Sequence, residues 1–141
     1  MGLVMLDRTE VRFKYMLDRL FLSALAIYIL NKWLVPDHLK KGIEFFDSYL
    51  NDILFPAVAF PIMLFITKIC GARKVDVPPQ LKEMIPPLII WSIGFEFVGP
   101  YYFDRGTADI IDVLAYFTGG IGSWMFWNRV NIFRAILVKK I

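Results

Sequence analysis

Residues 110–127 read IIDVLAYFTGGIGSWMFW, a helix-length run whose single charged residue is Asp112. An ionised side chain in lipid is costly, so it faces the interior of a bundle and often carries a function. Just upstream, residues 84–103 read MIPPLIIWSIGFEFVGPYYF, again with one carboxylate, Glu96. Folded as a helical hairpin, the two runs bring Glu96, Asp109 and Asp112 to one depth. Glu96 lies about seven residues before the end of its run, roughly 10 Å deep at 1.5 Å per residue.

A membrane span needs about 20 mostly apolar residues. Working outward from the hairpin gives four: Arg19–Val35, closed by Pro36; Asp52–Cys70; Met84–Phe103; and Asp109–Asn128. Pro86 and Pro87 fit the first turn of the third span, where a missing N–H does little harm. Pro56 and Pro61 fall inside the second and are expected to kink it. Residues 1–18 place Val4, Leu6, Val11, Tyr15 and Leu17 among charges, the pattern of an interfacial helix. The expectation is an all-α membrane protein, a four-transmembrane-helix bundle with a short N-terminal interfacial helix, in one domain over residues 1–141.

Bulk properties agree. The 141 residues are 57% hydrophobic and 16% aromatic, against about 45–50% apolar in a soluble domain. One cysteine, Cys70, excludes an internal disulfide framework. The net charge is +3, and the basic residues sit at segment ends rather than along a nucleic-acid stripe. The opening residues carry charges after the first apolar patch and no small-residue cleavage site, unlike a signal peptide.

Lys and Arg set orientation. Arg8, Arg12, Lys14 and Arg19, then Lys68, Arg73, Lys74 and Lys82, then Arg129, Arg134, Lys139 and Lys140 fall on one side; Lys32, Lys40, Lys41 and Arg105 fall on the other. Both termini are therefore expected in the cytoplasm. Carboxylates run the opposite way, and the outer excess is not a topology requirement.

The outer layer holds the candidates for a ligand, proton or cation: Asn51, Asp52, Glu96, Arg105, Asp109 and Asp112. Each has a plainer reading. Asn51 or Asp52 caps the second span, Thr107 or Asp109 caps the fourth, and Asp112 favours the positive end of its helix. Asp112, Ala115, Gly119 and Ser123 share one helical face, and small residues at that spacing admit a close neighbour. Glu96 shares a face with Ser92 and Gly99. Glu96 and Asp112 read equally as structural groups, sharing a proton or paired with Arg105, and as a working ligand, proton or cation site. Trp33, Trp91, Trp124 and Trp127, with Tyr28, Tyr101, Tyr102 and Tyr116, fall mostly near span ends, and interfacial anchoring explains most of them. No metal site, cofactor motif or catalytic set is legible, because His38 stands alone and no Ser–His–Asp set, P-loop or glycine-rich nucleotide motif occurs.

The run SIGFEFVGPYYFDRGTADIIDVLAYFTGGIGSW, residues 92–124, resembles the C-terminal half of VanZ-like membrane proteins. Those carry a serine-to-glutamate turn, an Arg-containing loop and D-x-x-D-x-x-x-N-x-x-G entering a small-residue span. Ser92 and Glu96 match the first part; Arg105, Asp109, Asp112 and Gly119 match the rest. Asn51 with Pro56 resembles the Asn and Pro of an earlier span. Tyr116 stands where the family has Asn, and Pro100 where many members have Gln. The resemblance implies a bacterial cytoplasmic membrane and an outer-leaflet polar cluster, and it supplies no reaction.

Three functions are compatible with these residues. The first is a non-enzymatic accessory subunit that binds a partner protein or envelope lipid through its outer half, as a homo-oligomer or part of a larger membrane complex. The second is a proton- or cation-coupled transport component using Glu96 and Asp112. The third, an envelope-modifying hydrolase or transferase, is disfavoured because Arg105 alone is a thin set for handling phosphate.

Overall fold

The computed structural model describes residues 11–40, 49–103 and 109–140, and among these the protein is all-helical. Helix α1, Arg19–Ile29, starts at Asp18, whose Oδ1 accepts from the N–H groups of Leu20 (2.9 Å) and Phe21 (3.4 Å). It continues into a π-helical turn, Leu30–Leu34, and ends at Val35 in extended conformation, as the residue before a proline must. A short α2, Asp37–Lys40, follows.

Helix α3, Leu50–Ile69, is unbroken, with Pro56 and Pro61 buried inside it. The two prolines expected to kink it leave the helix continuous. Gly71, at φ +78°, terminates it in the left-handed conformation that glycine adopts without steric cost.

Helix α4, Leu81–Ile93, runs into a second π-helical turn, Gly94–Val98, and then α5, Gly99–Phe103. It begins three residues before Met84, so Pro86 and Pro87 lie in its second turn rather than its first. The earlier start comes from a local cap, in which the backbone N–H of Gln80 donates to Glu83 Oε2 at 2.7 Å. Helix α6, Ile110–Trp127, occupies the quoted run, and α7, Arg129–Lys139, follows directly with no buried residues.

The N-terminal interfacial helix is corrected over its described part. Residues 11–18 form an irregular strap with a 3-10 turn at Tyr15–Leu17, and Phe13 and Tyr15 are buried in the core. Two aromatic rings that can pack inside stabilise more there than along a surface. Residues 1–10 lie outside the described residues.

By length and composition, α3 is the one described helix long and apolar enough to cross a membrane. Residues 19–35 and 84–103 instead run on through π-helical turns, so no single α-helix covers either. Helix α6 dilutes its apolar residues with Asp112, Gly119, Gly120, Gly122 and two tryptophans.

The most extensive packing is between α3 and α6, followed by α1 on α3 and α4 on α6. At the end bearing the 71–80 loop, Phe13, Tyr15, Phe60, Leu64, Met84, Leu88 and Trp127 form a continuous apolar core. At the other end the interior turns polar.

Candidate functional site

Two glycines decide how closely the helices approach. A Cβ on Gly119 would overlap the backbone carbonyl of Ile53, and one on Gly120 would lie 2.6 Å from Leu88 Cδ1. The small-residue face read from the sequence is the buried face: Ala115, Gly119 and Ser123 are all inside, and Ser123 Oγ donates to the Gly119 carbonyl at 2.7 Å. Backbones this close carry Asp112, two turns before Gly119, to the first turn of α3. There Asp52 faces both Tyr116 and Asp112.

Asn51 does not cap α3, and neither does Asp52. The N-cap position is Tyr49, with no side-chain cap bond. Asn51 Oδ1 instead accepts from Asn31 Nδ2 at 3.1 Å, tying the π-helical turn after α1 to the start of α3. Asn31 is only 5% exposed.

Glu96 lies in the π-helical turn of Gly94–Val98, whose extra residue per turn alters which side chains face inward. Glu96 is 5% exposed while its neighbours Phe95 and Phe97 are 49% and 63% exposed. Its Oε2 accepts from the backbone N–H of Asp109 at 2.9 Å. Asp109 in turn caps α6, with Oδ1 accepting from Ile111 N–H at 2.9 Å. The predicted depth-sharing of Glu96 and Asp109 is thus a direct contact, and the capping reading holds for Asp109. Arg105 lies outside the described residues.

An aromatic cluster floors this layer. Phe55 meets Trp91, Phe95 and Tyr116 with ring centroids 5.2, 5.4 and 6.0 Å apart. Tyr116 and Trp127 are buried, whereas Trp33 is 77% exposed. Asn31 is absent from the sequence-derived candidates, and Tyr116 enters them only as an aromatic anchor and a departure from the family pattern. Their signal was a polar group inside a mostly apolar run, which is costly to bury unless partnered.

A groove of about 390 Å³ opens beside Glu96, between the α4–π-turn rod and α6. Its walls are mostly aliphatic and aromatic, and Ser92 and Glu96 line it. Ser92 Oγ is buried with no hydrogen-bond partner. Among the described residues, no group of three or more His, Cys, Asp or Glu side chains is arranged to hold a metal ion.

The opposite end is held by ionic contacts. Asp76 accepts from Tyr15 Oη at 2.7 Å and pairs with Lys68 Nζ at 2.7 Å. The Lys68 and Tyr15 bonds hold its carboxyl below the usual carboxylate range, while burial and then the Asp76 bond push the Tyr15 hydroxyl up. Arg73, read from the sequence only as a topology charge, is 8% exposed. It donates to Glu83 Oε1 at 2.7 Å and to the Val77 carbonyl, which fixes the loop before α4.

No family model, curated protein or solved structure matches the chain. The VanZ-like resemblance accordingly rests on residues 51–56 and 92–123 themselves. Chemically, the site offers acceptors and apolar walls, and no metal cage is arranged among the described residues.

Proposed function

We propose that this chain is a small polytopic membrane protein of VanZ-like type, a four-span bundle of the bacterial cytoplasmic membrane with both termini in the cytoplasm. Its role is non-enzymatic: an accessory subunit that binds envelope lipid or a partner protein through an acidic outer half. The observation that carries this reading is the inverted distribution of side chains. Asn31, Ser92 and Glu96 are buried, whereas Ile27, Ile66, Ile90 and Phe97 are exposed. Water disfavours that arrangement and lipid favours it.

Continuity of the rods supports the span count. Helical structure runs without a gap from Leu81 to Phe103, about 34 Å at 1.5 Å per residue, against a hydrocarbon core of about 30 Å. A π-helical turn shifts the face of such a rod without ending it.

Cys70, exposed at the end of α3, is the natural reporter. In intact cells an impermeant maleimide should leave Cys70 unlabelled and label a His38→Cys variant made in a Cys70→Ser background. The protein should also stay in membranes washed with alkaline carbonate. Release by carbonate, or labelling of Cys70 from outside, would reject the reading.

A second reading, proton- or cation-coupled transport, has one observation in its favour. Asp52, Asp112 and Tyr116 face one another between α3 and α6, and Glu96 is near them. Unchanged ion flux in Asp112→Asn and Glu96→Gln would remove it.

A further inference from the structure

A groove runs between the α4–π-turn rod and α6. Its volume, about 390 Å³, lies within the roughly 300–1,000 Å³ of small-molecule sites. Ile89, Ile93, Val113 and Phe117 form its apolar walls, and Ser92 and Glu96 are polar groups on the same lining.

Two observations distinguish it from an unfilled gap between helices. Ser92 Oγ is buried without a partner, in a residue only 4% exposed. A buried hydroxyl left unsatisfied costs about 1–3 kcal/mol, and a ligand group in the groove would satisfy it. Glu96 gives one oxygen to the Asp109 N–H, and a carboxylate has further acceptor capacity.

The polar groups therefore ask for a donor, and the remaining lining asks for a chain. Charge decides which donor. Asp109 lines the same groove, and Asp112 lies close enough to Glu96 to act on it electrostatically. Among the described residues, no Lys or Arg lines the groove. Among the described lining residues a phosphate or carboxylate head would meet only like charge, whereas an ammonium would meet acceptors.

We infer that the groove binds a single-chain amphiphile with an amine head, its aliphatic chain along Ile93, Val113 and Phe117 and its ammonium donating to Glu96 and Ser92. This deepens the proposed function and rests on the outer half facing the lipid. The chain then enters sideways from the bilayer, since Ile89, Ile93 and Phe97 on the rim are themselves exposed.

The test uses the full chain in nanodiscs of a phosphatidylcholine bilayer. The probe is dodecylamine carrying a diazirine on its chain, and crosslinks are mapped by mass spectrometry. Labelling should concentrate at Ile93, Val113 and Phe117. Unlabelled dodecylamine should compete and dodecanoate should not. Glu96→Gln should weaken competition about tenfold, the loss of roughly one charge-assisted hydrogen bond. Val113→Trp should abolish labelling by filling the groove without touching the polar groups.

Labelling spread over outward residues such as Ile27 and Ile66, equal competition by dodecanoate, or no effect of Glu96→Gln in a variant that keeps the wild-type melting temperature would each overturn the assignment. Failure of the membrane reading is separately visible. A protein released from membranes by carbonate loses both proposals, while one retained there without competed labelling loses only this one.

Discussion

The Glu96 carboxylate reaches across the helical hairpin to accept the backbone N–H of Asp109 at 2.9 Å. That N–H precedes the first turn of α6, where no helical partner exists for it. Glu96 thus completes the start of α6 from another helix, while Asp109 caps the same turn from within.

Replacing Glu96 should separate charge from acceptor. Glu96→Gln keeps an acceptor and should lose little stability. Glu96→Leu leaves the Asp109 N–H without this bond and should cost about 1–3 kcal/mol, read as a lower melting temperature in detergent. Equal melting temperatures for the two variants would show that the bond contributes nothing.

Gly119 should be intolerant where Gly122 is not. Gly119→Ala must push α6 off the Ile53 carbonyl, and nothing lies within 4 Å of a Cβ at Gly122. Overpacking of this kind costs about 1–3 kcal/mol, whereas Gly122→Ala should be neutral or gain about 0.5–1 kcal/mol from helix propensity. Thermal unfolding of the two variants side by side decides it.

Asn31 and Asn51 should be coupled. Each single Ala variant removes the 3.1 Å bond, so the double variant should cost less than the sum of the two. The expected interaction is about 0.5–1.5 kcal/mol, the net size of a typical hydrogen bond. Strict additivity would deny the contact.

Asp18 should matter twice. Its Oδ1 caps α1 and also accepts from Trp127 Nε1 at 2.9 Å. Asp18→Ala should lose about 1–2 kcal/mol from the cap alone, and Trp127→Phe a smaller amount. In the Asp18→Ala background, Trp127→Phe should cost less than it does in the wild type, the remainder being the ring volume lost from the core.

Acid should weaken the end held by Asp76. Its carboxyl is held low by Lys68 and Tyr15, so the folded state binds that proton less readily than the unfolded chain. Stability from this contact is present above the unfolded value of about 3.9 and is lost as pH falls through the lower folded value. Asp76→Asn should flatten the melting-temperature profile in that acid range and leave it unchanged near neutrality in slope. An unchanged acid slope would assign the loss to other carboxylates.

The sequence by itself determined the helical class, the extent of α6 at Ile110–Trp127, and the small-residue face that packs inside. These follow from runs of apolar residues and the spacing of Ala115, Gly119 and Ser123, both local properties of the chain. It also brought Glu96 and Asp109 to one depth, because hairpin geometry is set by residue counting. Only the tertiary structure decided that Asp109 is a cap held by Glu96, that Asn51 bonds Asn31, and that Tyr116 and Trp127 point inward. The strap carrying Phe13 and Tyr15 also required the neighbours it packs against. Each of these depends on which helix lies opposite and on where a π-helical turn rotates a rod. An extra residue in one turn changes the face that every later side chain presents, and that depends on the packed partner rather than on the hydrophobic pattern of one segment.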